Sequence, residues 1–257
     1  VVGVAGVLVG CATWVKPVGV SLLWGVGDEK ILASWDGLLV GAGAEGARVF
    51  DDAAMHTAAS ANGEFLAREM VRDGRVFRTH TKGETRIPGF LEDHAAVGLG
   101  FLALYQLTLE RVWFDRAAAL ANSCVTHFWD GGLGVFFDTA NDHEKLVTRP
   151  RDLMDNAVPS GNSMAVELLL IVADLTGDSE MRTRASFVLD SLSEPVTRYP
   201  TMFGHALGAA DLAVNGEIAV TLAEDHGAND LRDLTSEVAR TSLPSLGLDG
   251  RAEDSVA

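Results

Sequence analysis

The chain has 257 residues, with 20 basic side chains against 36 acidic ones, a formal charge of −16 and a pI of about 4.7. This balance excludes nucleic acid and anionic membrane as partners and fits a neutral or cationic small ligand. The length suits one large core or two smaller domains, and Cys11 and Cys124, far apart and without CxxC spacing, point to a reducing, cytoplasmic setting rather than a disulfide framework.

Residues 1–27 are an apolar segment without an assigned role. Val1–Val15 and Val18–Val26 flank Lys16-Pro17, and neither run reaches the roughly 20 residues a membrane span needs. No basic region precedes them, as a secretory signal would require. From Asp28 to residue 214 the chain is expected to be a stack of helical hairpins. Trp35–Phe50 reads as a helix capped by Ser34, weakened by Gly37, Gly41, Gly43 and Gly46 unless close packing compensates. Asp52–Val71 reads as an amphipathic second helix, followed by a strand pair over Asp73–Arg78 and Glu84–Ile87.

The order then recurs. Leu91–Leu107 is apolar all round after its first polar turn, and Trp113–Trp129 is apolar on one face only. A turn at Asp130-Gly131-Gly132 leads to a short strand, Gly134–Thr139. A third round opens at Asn162 with a buried helix ending near Gly177, followed by the amphipathic Glu180–Leu192. Beyond Asn215 the pattern changes: Glu217–Ala223 reads as a strand and Ala228–Thr241 as a helix, a small α/β extension over residues 215–257.

Helices that are apolar all round, alternating with helices apolar on one side, require two concentric layers. Such a unit cannot cover its own inner helix and must stack on copies of itself. The expected fold is all-α: a partial (α/α) toroid of helical hairpins with short β-hairpin excursions, which leaves no open end, with an open α-solenoid, normally capped at both ends, as the competing arrangement.

In such a ring the inner helices run parallel, and their starts open on one mouth. Ser34-Trp35-Asp36, Phe90-Leu91-Glu92-Asp93 and Asp155 to Asn162 stand at those starts. Glu92, Asp93 and Asp155 are the candidate acid–base groups. Trp35 and Phe90 would supply flat apolar faces, Asp36 a further carboxylate and Arg149 a counter-charge. Ser160 and Asn162 would add cap-loop hydrogen-bonding groups at a helix N-terminus. Asp155→Asn is then expected to abolish turnover and leave folding intact. Asp142-His143-Glu144 has no spaced partner and is not expected to hold a metal, and no cofactor is expected. His205, early in an apolar segment, reads as a core histidine, and Ser160 as a cap rather than a nucleophile.

These segments resemble a known family. Asp28–Leu38 is similar to its "DDK-L-SWNGL" segment, Ile87–Ala95 to its "PGFLEDYA", and Val147–Pro150 with Asp155–Asn162 to its "RPKD…DGA-PSGN". Arg198–Thr201 and Phe203–Leu207 match a later helix. The family is the thioredoxin-domain-containing proteins akin to spermatogenesis-associated protein 20. The resemblance implies a six-hairpin toroid like those of N-acylglucosamine 2-epimerases and six-hairpin glycosidases, joined in the intact parent to a thioredoxin-like domain. The chain opens on Val and lacks CxxC, so it is expected to be the later half of such a protein, with about three hairpins of six and an exposed apolar edge. Asp36 stands where the family has Asn, and His94 where it has Tyr. The resemblance leaves two functions open: a sugar-binding enzyme of glycosidase or epimerase type, or a non-catalytic scaffold serving the redox domain.

Overall fold

A computed structural model describes residues 30–144, 147–216, 218–223, 237–238 and 246–251. The apolar segment 1–27, with Cys11, lies outside them, as does the expected helix over 228–241 apart from 237–238, which are helical.

The chain enters through β1 (Ile31–Leu32) and the helix α1 (Ala33–Phe50). Then α2 (Ala53–Phe65) starts under an Asp52 cap and ends in a wider π turn over Leu66–Met70. Strands β2 (Val71–Arg72), β3 (Arg75–Thr81) and β4 (Glu84–Pro88) follow. The long β3 pairs antiparallel with β1, β2 and β4, with Ile31 opposite His80 and Phe77 opposite Pro88. Next come α3 (Leu91–Thr108) and α4 (Arg111–Phe128). The expected strand over 134–139 is shorter: β5 (Trp129–Asp130) pairs with β6 (Val135–Phe136). The helices α5 (Gly161–Thr176), α6 (Ser179–Arg198) and α7 (Gly204–Asn215) complete the helical part. At the C-terminal side β7 (Ile218–Ala223) runs parallel to β8 (Leu246–Arg251).

The two layers follow from the side-chain pattern. In α6 only Met181, Ala185, Val188 and Leu192 are buried, one stripe at helical spacing. In α3 and α5 buried positions lie on every side of the helix, because α1, α3, α5 and α7 pack side by side while α2, α4 and α6 lie behind them. Fully buried Phe101, Phe128, Leu104 and Leu120 fill the space between the layers, each worth about 1.5–3 kcal/mol of transfer free energy.

Glycine sets the closest approach. A Cβ on Gly37 would lie 2.6 Å from the Ala96 carbonyl carbon, and one on Gly100 would lie 2.7 Å from the Gly37 oxygen. Gly98 likewise admits Leu168 of α5. The α1 glycines that cost helix propensity are thus of two kinds, since Gly41 has nothing within 4 Å.

The inner helices are parallel with level starts. The Ser34 N–H of α1 donates to Asp93 of α3, and Gly161 of α5 abuts the Glu92 nitrogen of α3. The cap expected of Ser34 on its own helix is corrected here: α1 begins at Ala33, and its first turn is capped from α3.

Candidate functional site

The mouth is built around the start of α3. The Leu91 N–H donates to the Asp138 carbonyl at 2.9 Å, fixing the 137–152 excursion over this helix end. Along α3 the partly exposed residues are Glu92, Leu99, Ala103, Gln106, Leu107 and Thr108, of which the first four fall on one stripe of the helix. Glu92, with its side chain 33% exposed, heads that stripe and accepts from Nη1 of Arg78 at 2.6 Å. The Arg78 guanidinium lies 4.8 Å from the centre of the Phe90 ring, so its cationic head is held over an aromatic face.

Asp138, whose backbone carbonyl binds the Leu91 N–H next to Glu92, is half-buried, with Oδ1 accepting from the Asp152 N–H at 2.8 Å. Its carboxyl is held above the ordinary range, first by burial and then by the charges of Asp152 and Glu92, against the opposing Asp152 hydrogen bond. A carboxyl held above its ordinary range within electrostatic reach of an Arg-paired carboxylate is a difference that acid–base chemistry can use.

The remaining candidates are placed differently. Asp93 is wholly buried: Oδ1 takes the Ser34 N–H at 3.2 Å, and Oδ2 takes the Phe90 N–H at 2.9 Å and Arg78 at 3.0 Å. Asp155 bonds the N–H groups of Ser160, His205 and Ala206 and the Ser163 hydroxyl, so it ties the starts of α5 and α7 together. Burial pushes its carboxyl up, but those four donors outweigh it and hold the group below the ordinary range. Asp93 and Asp155, expected as acid–base groups, thus have both carboxylate oxygens engaged by hydrogen bonds within the fold.

Asn162 is also wholly buried and clamps β6, accepting from the Phe136 N–H at 2.8 Å while donating to the carbonyls of Phe136 and Asp152. Ser160, buried, accepts from the Ser163 N–H as the cap of α5. Both make these hydrogen bonds within the fold. Asp36 points outward to Asn62 of α2 at 3.1 Å, and burial raises its carboxyl. Trp35 is 64% exposed, but it lies about 160° round the helix from Gly37, on the flank of α1 opposite α3 rather than in the mouth. Arg149 stacks 3.8 Å from the Phe137 ring centre and donates to the carbonyls of Thr139 and His127. Asp142 is engaged by Arg75 through two bonds of 2.8 and 3.0 Å.

Of the residues named from sequence, the mouth therefore gathers Glu92 and Phe90. Arg78 and Asp138 are the additions. Strand alternation sets Arg78 on the same face of β3 as buried Val76 and opposite to Phe77, so the period alone marked it as inward-facing but not as a site residue. Asp138 sits in irregular chain where no period marks a direction.

No protein-family model matches the chain. It is 31% identical over 229 residues to spermatogenesis-associated protein 20 of Homo sapiens, covering 85% of this chain and 29% of that protein. The Mus musculus counterpart is 29% identical over the same length, again covering 29% of the relative. Among solved structures, a family 76 alpha-mannanase of Bacteroides thetaiotaomicron superposes with a TM-score of 0.51 at 14% identity, over 65% of this chain and 45% of that one. The cellobiose 2-epimerase of Bacillus thermoamylovorans gives 0.52 at 15% identity, over 63% and 44%. A D-mannose isomerase gives 0.51 at 18% identity, over 64% and 41%. These likenesses show the toroid fold.

Proposed function

The chain is homologous to part of spermatogenesis-associated protein 20, and from that premise we propose that its inner-helix mouth binds a carbohydrate-like ligand and acts on it by carboxylate acid–base chemistry of glycosidase or epimerase type. The observation that supports this reading is that the Asp138 carboxyl, held above its ordinary range by burial and by nearby charges that include Glu92, belongs to the loop bonded to the start of α3, where Glu92 is ion-paired to Arg78. Asp138 is the acid and Glu92 the base or nucleophile. Arg78 and Phe90 shape the floor between them, a charged donor laid over an apolar ring, as suits a hydroxyl-bearing ring with apolar faces. Fold likeness alone does not carry an activity, since one scaffold hosts many chemistries.

The test is turnover and binding across neutral mono- and disaccharides, for the wild type, Glu92→Gln and Asp138→Asn. Both variants are expected to lose at least a hundredfold in kcat with melting temperatures unchanged. Binding by the wild type without turnover of any sugar would favour the scaffold alternative, in which the ring serves a redox domain of the parent. Absence of binding would overturn the carbohydrate reading.

A further inference from the structure

Helix α7 is packed on one side. It rests on α5, on α6 and on the turn over residues 200–202, and Ala206, Ala209 and Leu212 form its buried stripe. Phe203, just ahead of it, is buried as well, whereas Leu207, Gly208, Asp211 and Val214 are exposed on the rest of its surface. Two alanines and one leucine bury little apolar surface for a helix of 12 residues, so the polar contacts at its start carry a large share of its docking.

Two such contacts meet there. Oδ2 of Asp155 accepts the N–H groups of His205 and Ala206 at 2.8 and 3.2 Å, while Oδ1 takes the Ser160 N–H at the start of α5. Beside this cap, Oε2 of Glu167 on α5 lies 2.7 Å from Nε2 of His205. The ring N–H is not aligned on the carboxylate, so the contact is an ion pair whose strength follows the charge of the imidazole. The side chains of His205 and Glu167 retain 26% and 33% exposure, which leaves the pair open to exchange of protons with solvent.

The two contacts answer to different ranges of pH. Burial pushes the Asp155 carboxyl up, but its hydrogen bonds outweigh that and hold it below the ordinary value, so it stays charged through neutrality. Burial pulls the His205 imidazole down, but the Glu167 contact and the charges of Glu167 and Asp155 outweigh it and hold the ring above its ordinary 6.5. Among the described residues, α6 and the 200–202 turn bring no charged group to bear on it. A ring raised by a contact of the docked helix binds its proton more tightly there than in the open state. The gain to docking is therefore complete below pH 6.5 and is lost as the pH rises through the docked value.

We propose that Glu167 and His205 are a catch that holds α7 against α5 in mild acid and lets it swing outward, on the Asp155 cap as hinge, as the pH rises through neutrality. The imidazole gives up a proton to solvent, the ion pair becomes a contact between a carboxylate and a neutral ring, and Asp155 keeps the start of α7 attached. This goes beyond the carbohydrate reading and stands whether or not the mouth takes a sugar.

The experiment is hydrogen exchange of the whole chain near pH 6 and near pH 8.5, read by mass spectrometry, with each rate divided by the intrinsic chemical rate at that pH. In the wild type the opening of peptides from Gly204–Asn215 is expected to rise about two- to fivefold between the two, as loss of a partly exposed ion pair implies, while peptides from Leu91–Thr108 keep their rates. Glu167→Gln and His205→Gln should each abolish that rise and show near pH 6 the opening of the wild type near pH 8.5. Equal opening of wild-type α7 at both pH values, a rise shared equally by α3, or a rise that persists in either variant overturns the proposal. Should a variant melt early, the ring resonances of His205 in the wild type decide in its place. Their titration midpoint is expected above 6.5, and a midpoint at or below that value overturns the catch.

Discussion

The Ser34 N–H of α1 donates to Oδ1 of Asp93 on α3 at 3.2 Å, so one inner helix is capped by a side chain of the next, 59 residues on. The other oxygen of Asp93 binds the Phe90 N–H and Arg78, and the carboxyl is wholly buried. Removing it strands two backbone donors and leaves the Arg78 guanidinium with Glu92 alone. Asp93→Ala is expected to lower stability by on the order of 3 kcal/mol, read as a fall in the urea midpoint without a change of slope. Asp93→Asn, which keeps acceptor capacity on one side only, should lose less.

Helix packing makes opposite predictions for two glycines of the same helix. Gly37→Ala drives a methyl into the Ala96 backbone at 2.6 Å, where neither chain can yield without parting α1 from α3. It should destabilise by about 1–3 kcal/mol, as overpacking does. Gly41→Ala meets nothing within 4 Å and should stabilise by up to about 1 kcal/mol through helix propensity. Thermal melts of the two variants would check the signs, and matching signs would contradict the packing described.

His94 makes stability depend on pH. Its Nδ1 bonds the Phe90 carbonyl at 2.8 Å and its Nε2 receives the Val76 N–H at 3.1 Å, an arrangement open only to the neutral ring. Burial, with help from nearby Arg75, lowers its pKa from 6.5 to about 4. The unfolded chain therefore binds this proton first as pH falls. The contribution is complete above pH 6.5 and is lost progressively toward pH 4, about 3 kcal/mol in all. Carboxyls held high by burial, such as Asp93 and Asp138, contribute the opposite slope, so the comparison must be between proteins. His94→Gln should flatten the fall in urea stability between pH 6.5 and 4 relative to wild type.

The layered plan was readable because burial leaves a periodic trace: α3 and α5 are apolar all round, and α4 and α6 only on one stripe. Individual site residues were less so. Glu92 and Asp93 are adjacent acids in one first turn, and composition cannot tell which faces the interior. The angle between them is about 100°, enough to put one in the mouth and the other in the α1–α3 interface. Trp35 shows the same gap, since the flank of α1 that meets α3 is set by the Gly37–Ala96 approach, a contact between segments 59 residues apart. Glu167 and His205 lie 38 positions apart in sequence, and their pairing depends on α5 and α7 being neighbours.

Cys124 should be chemically silent. It is fully buried in α4, and burial pushes its thiol up to about 12, so thiolate is scarce at neutral pH. Alkylation with iodoacetamide at pH 8, followed by peptide mapping, should leave Cys124 unmodified in the native protein and modify it fully in denaturant. Labelling under native conditions would mean that α4 opens, and would reopen a redox role for this part of the chain.

Asp155 separates framework from chemistry. As an acid–base group it would be expected to abolish turnover on conversion to Asn while leaving folding intact. Its geometry implies the reverse order of effects. Oδ1 takes the Ser160 N–H and the Ser163 hydroxyl at 2.8 and 2.6 Å, and Oδ2 takes the N–H groups of His205 and Ala206 at 2.8 and 3.2 Å. Each end is a helix cap with a charged acceptor, so Asp155→Ala should cost about 3 kcal/mol. Because the folded carboxyl lies below its ordinary 3.8, its contribution is present above that pH and is lost as the pH falls through the folded value. The variant should accordingly melt earlier at pH 7 and differ less from wild type in acid. Glu92→Gln, whose side chain is one-third exposed at the mouth, should leave the melt alone at both pH values and lose activity. A stable Asp155→Ala protein without activity would return Asp155 to the chemistry and displace Asp138 from it.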